Sequence, residues 1–290
     1  EIPLRLVGSE MCIRDRMYTE YQPSHLLAPY IDNYWEFKGN PEYGMRIHIL
    51  PDGCTDFIFT LGEVANAVEE GSLIMQPYRS YFVGPMTKYS ELVTYTESIH
   101  MFGVRFLPCG LSCFTNLPLH EFVNSRVSTN EMKAVFDDTF IEKLGEQKHV
   151  TDRIRVVEEY LLAYLARHYQ PADSHVAMAV NMINHSKGKR SVRSLMDDVC
   201  LCQRHFERKF KHYTGFTPKE YSRIVKFKNA VELLRTTTSA NLLTTAVDAG
   251  YYDLAHFSKE IKSLSGNTPA SFLSLTVPEE TTLTYIEPQR

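Results

Sequence analysis

No run in this 290-residue chain approaches 18 consecutive apolar residues, so no segment reads as a membrane-spanning helix. Neither a Gly-x-Ser-x-Gly elbow nor a phosphate-binding loop occurs, which removes the common hydrolase and nucleotide-binding readings. Six cysteines are too few for a disulfide framework in a chain of this length. Cys200-x-Cys202 and Cys109-x-x-x-Cys113 lack the Cys-x-x-Cys spacing of a zinc site. With no charged-apolar-small leader ahead of them, the thiols are expected to be reduced, in the cytoplasm. His48, His100, His120 and Asp52 lie in the N-terminal half, but no His-x-His pair followed by a glutamate brings them to one ion. No cofactor or metal is therefore expected, and there are no catalytic residues to name.

What is present is an uneven charge. The net charge of −4 conceals a basic stretch, Lys187 to Ser274, with 15 Lys and Arg against 8 Asp and Glu. Residues 1–186 have a net −9, and 275–290 a net −2. Such asymmetry points to a basic nucleic-acid module joined to an acidic partner domain. The 43% hydrophobic content suits two soluble domains.

The chain divides into five segments. Residues 1–16 contain Val7 to Arg16, which resembles translated adaptor sequence; they are expected to be a non-native leader, with the natural chain starting at Met17. Residues 17–148 hold short apolar runs separated by turn residues, a mainly-β, barrel-like pattern. Strands are expected at Ile31–Lys38, Met45–Leu50, Asp56–Leu61, Leu73–Met75, Tyr81–Val83, Glu91–Tyr95 and Met101–Phe106, with a turn at Pro51-Asp52-Gly53. A helical connector, 149–170, carries Ile154, Val157, Leu161, Leu162 and Leu165 at helical spacing. That stripe either packs on its own barrel or makes a homodimer. Residues 171–274 are expected to be all-α, and 275–290 a disordered tail. The fold class is thus α+β.

The all-α segment contains a repeat. Gln203 to Pro218 and Ala255 to Pro269 each place His-Phe ahead of a charged helix ending in glycine and a Thr-Pro pair, and the two copies lie 51 residues apart, from His205 to His256. Each copy is preceded by a short helix and a turn, giving two helix-turn-helix units. In the first, Leu195 and Val199 face Phe206 and Phe210, leaving Gln203, Arg204, Glu207, Arg208 and Lys211 outward. In the second, Phe257 and Ile261 face inward and Leu254, Ala255, Ser258, Lys259 and Lys262 outward. A long helix from Pro218 to Leu234 joins the units. Apolar residues that hold a helix to its scaffold while long polar side chains project are what a DNA major groove requires. Lys187-Gly188-Lys189-Arg190 reads as a solvated loop, a phosphate contact, or both.

The run Arg204-His205-Phe206-x-Arg208-x-Phe210-Lys211-x-Tyr213-Thr214-Gly215-x-Thr217-Pro218, followed by Ala246-x-x-x-Gly250-Tyr251-x-Asp253-x-x-His256-Phe257-x-Lys259 and Gly266-x-Thr268-Pro269-x-x-Phe272, resembles the AraC/XylS family of transcription regulators. The resemblance implies base contacts from Arg204, Glu207 and Arg208 and from Leu254, Ala255, Ser258 and Lys259. It departs from the family pattern at Met196, Cys200, Cys202 and Thr245, and cysteine is a weak helix cap. The segments Leu26-x-x-x-Tyr30-Ile31-x-x-Tyr34-Trp35, Leu50-Pro51-Asp52-Gly53-Cys54-x-Asp56-Phe57-Ile58 and Gly103-Val104-Arg105-Phe106-x-Pro108 are similar to a cupin-like sensor domain found ahead of this module in some members. By that analogy the partners are double-stranded promoter DNA, a small-molecule effector of unknown identity, a second copy of the chain and RNA polymerase.

Two roles are open for Trp35, Asp52, Asp56 and Arg105: lining an effector pocket, or ordinary core and turn chemistry. A metal-dependent cupin-type enzyme fused to a DNA-binding module is the alternative function. A repeat that binds protein instead of DNA would not need a net +7 with Arg and Lys on both recognition helices.

Overall fold

The computed structural model describes residues 17–67, 72–132, 135–136, 139–199, 201–236, 242–274 and 284–286. The leader 1–16, Cys200 and all but three residues of 275–290 lie outside the described residues. Ten strands are described: β1 Tyr18–Tyr21, β2 Ile31–Gly39, β3 Met45–Ile49, β4 Thr55–Thr60, β5 Asn66–Ala67, β6 Ser80–Val83, β7 Ser90–Thr94, β8 Ile99–Phe106, β9 Arg126–Ser128 and β10 Thr284–Ile286. They form two antiparallel sheets, one in the order β1-β2-β8-β4-β6-β9 and the other β10-β3-β7-β5.

The central strands β4, β6 and β8 of the six-stranded sheet are buried on both faces, and strand periodicity sorts their side chains. Phe57, Phe59, Phe82, Phe102, Val104 and Phe106 point away from the second sheet, into a core shared with helices. Trp35, Phe37, Ile58, Tyr81, Val83 and Met101 point toward it and meet Ile47 and Leu92 between the two sheets. Covering the first face are α1 (Phe140–Gly145) and α2 (Val150–His168). Phe136 anchors the contact, its ring centroid 5.1 Å from Phe57 and 4.8 Å from Phe140. Ile154, Val157 and Leu161 of α2 are buried in this core, with Leu162 and Leu165 packed against it. The stripe that admitted a dimer reading is thus occupied by its own barrel. Arg153 is buried beside it, where Nη1 donates to Glu36 Oε1 at 2.9 Å.

Two expectations fail in detail. Leu73–Met75 forms no strand: its Met75 amide donates to the Asn66 side chain at 2.7 Å, which replaces a ladder bond. Thr284–Ile286, part of the segment read as a disordered tail, pairs antiparallel with β3, where a β-prone Thr-Tyr-Ile run meets a strand edge.

The helical half comprises α3 (Ser174–His185), α4 (Val192–Val199), α5 (Gln203–Thr214), α6 (Pro218–Thr236), α7 (Leu242–Asp248), α8 (Leu254–Ser265) and α9 (Pro269–Ser274). It has two cores. The first joins Val176, Ile183, Leu195, Val199, Phe206, Phe210 and Ile224; the second joins Phe227, Val231, Ala246, Phe257, Ile261 and Phe272. Because α6 contributes to both, the two units are tied by one rigid element. Lys189 binds them further, donating to the Asp248 carbonyl at the end of α7 at 2.6 Å, so this lysine of the basic loop serves a structural contact.

Candidate nucleic-acid interface and ligand cavity

Each helix-turn-helix unit presents its second helix in the same way. Phe206 and Phe210 bury one face of α5, and Phe257, Ile261 and Leu264 bury one face of α8. On α5 the opposite face exposes Gln203, Arg204, Arg208 and Lys211, with Glu207 half-buried. A shallow depression runs along it, lined by Arg204, His205, Glu207, Arg208 and Lys211. Gln203 Nε2 donates to Glu207 Oε1 at 2.9 Å, one turn along, so these two polar ends are held together. On α8, Leu254, Ala255, Lys259 and Lys262 are exposed and Ser258 is half-buried. All ten residues expected at the interface therefore fall on the two outward faces. Tyr252 was overlooked by sequence reasoning: in the turn before α8 it is 92% exposed, beside Leu254.

The helix starts differ. The Asp253 carboxylate caps α8 by accepting from the His256 amide at 2.6 Å, whereas Cys202 begins α5 with no side-chain cap. Both helices end on glycine in the left-handed region, Gly215 at φ +83 and Gly266 at φ +77, where a side chain would be strained. This is the physical content of the repeated Gly-x-Thr-Pro ending.

The four candidate effector residues converge in the β domain. In the β4–β8 register Asp56 stands opposite Arg105, and in the β2–β8 register Trp35 stands opposite Gly103. A β-carbon at Gly103 would run into the Trp35 indole, so the glycine makes room for the ring. Trp35 Nε1 donates to Asp56 Oδ1 at 2.7 Å, and Arg105 Nε lies 3.2 Å from Asp56 Oδ1 and 3.5 Å from Asp52 Oδ2. Burial pushes the Asp56 carboxyl above its ordinary range, against the pull of Arg105. Burial also disfavours the Arg105 cation, but Asp56, Tyr18 and Asp52 outweigh it and hold its pKa well above the usual value.

Trp35, Asp56 and Arg105 line a cavity between the sheets with about 50 Å³ of water-accessible space, whose wall is otherwise mostly apolar: Phe37, Ile47, Ile58 and Met101 among others. Asp52 is not part of that wall. It belongs to the turn before β4, where its carboxylate accepts from the Cys54 amide at 2.9 Å, as its turn position implies. The same turn docks on α6: Leu50 enters the second helical core, and a β-carbon at Gly53 would stand 2.7 Å from the Tyr221 ring. Lys228 of α6 faces these acids, and Cys54, Asp52 and Asp32 raise its pKa although burial opposes them.

The residues weighed as metal ligands do not come together. His100 pairs with Glu36 at 3.0 Å, His48 stacks on Tyr89 and His120 lies beside His212. Among the described residues no group of three or more His, Cys, Asp or Glu could hold a metal ion.

Fold and surface together define a class: a domain of two antiparallel sheets followed by an all-α module of two helix-turn-helix units, each with its second helix turned outward. Residues 19–128 match the family model of a domain of unknown function, DUF6597, and residues 195–274 match that of a helix-turn-helix domain. No curated protein matches the chain in sequence. Among solved structures, ToxT from Vibrio cholerae is 10% identical with a TM-score of 0.50, covering 84% of this chain and 99% of that one. The C-terminal domain of AraT, a response regulator from Geobacillus stearothermophilus, is 20% identical with a TM-score of 0.35, covering 39% of this chain and 94% of that one. A probable AraC family transcriptional regulator from Rhodopseudomonas palustris is 19% identical with a TM-score of 0.32, covering 35% and 96%. The helix-turn-helix match runs from within α4 to the end of α9, and the overall fold is shared with ToxT.

Proposed function

We propose that this protein is a sequence-specific transcription regulator that grips duplex DNA with α5 and α8 and takes a small effector in the cavity between its β-sheets. The observation that carries the reading is the pair of outward faces, which offer Arg204, Arg208, Lys211, Lys259 and Lys262 to solvent on two helices joined by a rigid third. On α5, Arg204, Glu207 and Arg208 read base edges, with Gln203 holding Glu207 in place, while Lys211 takes a phosphate. On α8, Leu254 and Ala255 suit thymine methyls, Ser258 and Lys259 complete the base-facing side, and Lys262 lies toward the backbone. The protein works in the cytoplasm, without enzymatic activity of its own.

Two substitutions separate these roles. Arg208→Ala is expected to lose discrimination at particular base pairs, at about 1–3 kcal/mol, whereas Lys211→Ala weakens every site alike and lowers the salt dependence by about one phosphate. Identical effects from both, measured on a panel of single-base variants of a selected site, would undo the division. For the cavity, the lining residue Trp35 is the chain's only tryptophan, so a bound effector is read directly as a change in its fluorescence.

A further inference from the structure

The two recognition helices share a contact outside their own module. Between β6 and β7 the chain runs Gly84-Pro85-Met86-Thr87-Lys88-Tyr89, and Pro85 and Tyr89 touch the end of one recognition helix each. A β-carbon at Gly215, the end of α5, would stand 2.6 Å from Pro85 Cγ and 3.3 Å from the Leu119 carbonyl. One at Gly266, the end of α8, would stand 2.6 Å from Tyr89 Cζ. Both glycines already need the left-handed region to end their helices, but that requirement says nothing of a neighbour. The close approach of a second domain at both ends is an independent observation.

The segment is built to hold position. Thr87 donates its amide to Asn124 Oδ1 at 2.8 Å, Asn124 Nδ2 donates to Thr87 Oγ1 at 2.8 Å, and the Asn124 amide donates to the Pro85 carbonyl at 2.9 Å. The Gly84 amide donates to the Ser125 carbonyl at 3.0 Å. Tyr89 packs against the second helical core and stacks on His48 with ring centroids 6.1 Å apart. A second bond fixes α5 to the same domain, between His212 Nε2 and Asn116 Oδ1 at 2.9 Å.

We propose that the segment Pro85–Tyr89 is a spacer that sets the separation and relative angle of the two recognition helices, making Pro85 and Tyr89 positioning residues for the spacing of the two DNA boxes the protein accepts. The proposal rests on the DNA-binding reading above. With α6 and the exposed Lys189 contact as the links within the module, bending of one helix would let the units adapt to neighbouring spacings. With both helix ends seated on one hydrogen-bonded segment, a change of one base pair, about 3.4 Å of rise and a tenth of a helical turn, has to break a seat or distort the DNA. Met86 and Val83 also line the cavity between the sheets, so the segment's far side faces the effector site.

The test uses the full chain and duplexes selected by it from a random pool. Wild type is expected to enrich two boxes at one spacing and to lose about tenfold in affinity when one base pair is inserted between them. Tyr89→Ala should keep affinity for the preferred spacing within about threefold and cut the insertion penalty to about threefold or less, by freeing α8 from its seat. Pro85→Ala combined with Asn116→Ala, which also removes the His212 bond, should do the same through α5, and Tyr89→Leu, which keeps an apolar side chain, provides a second variant should the alanine protein fail to unfold cooperatively by Trp35 fluorescence. An insertion penalty unchanged in folded Tyr89 and Pro85 variants overturns the spacer. Equal loss at every spacing overturns it as well, since that is loss of binding and not of spacing control. Failure of wild type to enrich any two-box sequence removes the DNA-binding reading itself.

Discussion

Replacing Arg105 with methionine removes the cation that Asp52 and Asp56 share while keeping an apolar stem. Its side chain is 6% exposed, that of Asp52 6% and that of Asp56 13%, with Glu20 Oε1 at 3.9 Å as a third acid. A buried carboxylate stripped of its partner costs several kcal/mol if it stays charged, so Asp56 and Glu20 take up protons instead. The sign follows from linkage. Burial already raises the folded pKa of Asp56 and Glu20, Arg105 being the largest influence that lowers them, and its loss raises both further. A carboxyl whose folded pKa lies above its unfolded value contributes stability at low pH that is lost as pH rises through the folded pKa. Each such group changes stability by about 1.4 kcal/mol per pH unit while it titrates. Arg105→Met is therefore expected to cost about 1–2 kcal/mol at pH 5 and about 3–5 kcal/mol at pH 8. Urea unfolding followed by the fluorescence of Trp35, whose indole donates to Asp56, measures both. A cost equal at the two pH values, or below about 1 kcal/mol at pH 8, refutes the charge network as described.

Further outcomes concern the helix starts and the second buried pair. Cys202→Ser supplies the missing cap of α5 and should stabilise by about 1 kcal/mol, while Asp253→Ala removes the cap of α8 and should cost about 1 kcal/mol, both read from urea midpoints. Glu36 is held below its ordinary value because hydrogen bonding from His100 and the charges of His100 and Arg153 outweigh burial. Its stabilisation is present above the ordinary value of 4.5 and is lost as pH falls through the lower folded value. Glu36→Gln should thus cost about 3 kcal/mol at pH 7, with the difference from wild type narrowing as the pH falls through the lowered folded value.

The helical half was the more legible part of the chain. Phe206 and Phe210, and Phe257 and Ile261, recur at four-residue spacing and end at a glycine, so helix, buried face and outward face all follow from local pattern. The strands were legible where apolar residues cluster, as in Thr55–Thr60, and not where polar residues form an edge, as in Tyr18–Tyr21. Leu73–Met75 misled because three apolar residues imply burial but not a ladder partner. Arg105 and Asp56 could be named as candidates, yet their meeting depends on a cross-strand register spanning 49 residues, which no local spacing encodes. Gly215 and Gly266 were legible as helix ends. Their second task, giving room to Pro85 and Tyr89, depends on domain docking and left no mark in the local sequence.

Selection of genomic duplex fragments by the purified full chain, followed by affinity measurements from about 50 to 200 mM salt, addresses the DNA-binding reading itself. The two phosphate-facing lysines, Lys211 and Lys262, predict an enriched two-box site whose log affinity falls with log salt at a slope of about −2 or steeper, with Lys211→Ala shallower by about one. Recovery of no enriched sequence at modest salt, or an affinity indifferent to salt, contradicts a regulator that reads DNA through these two helices.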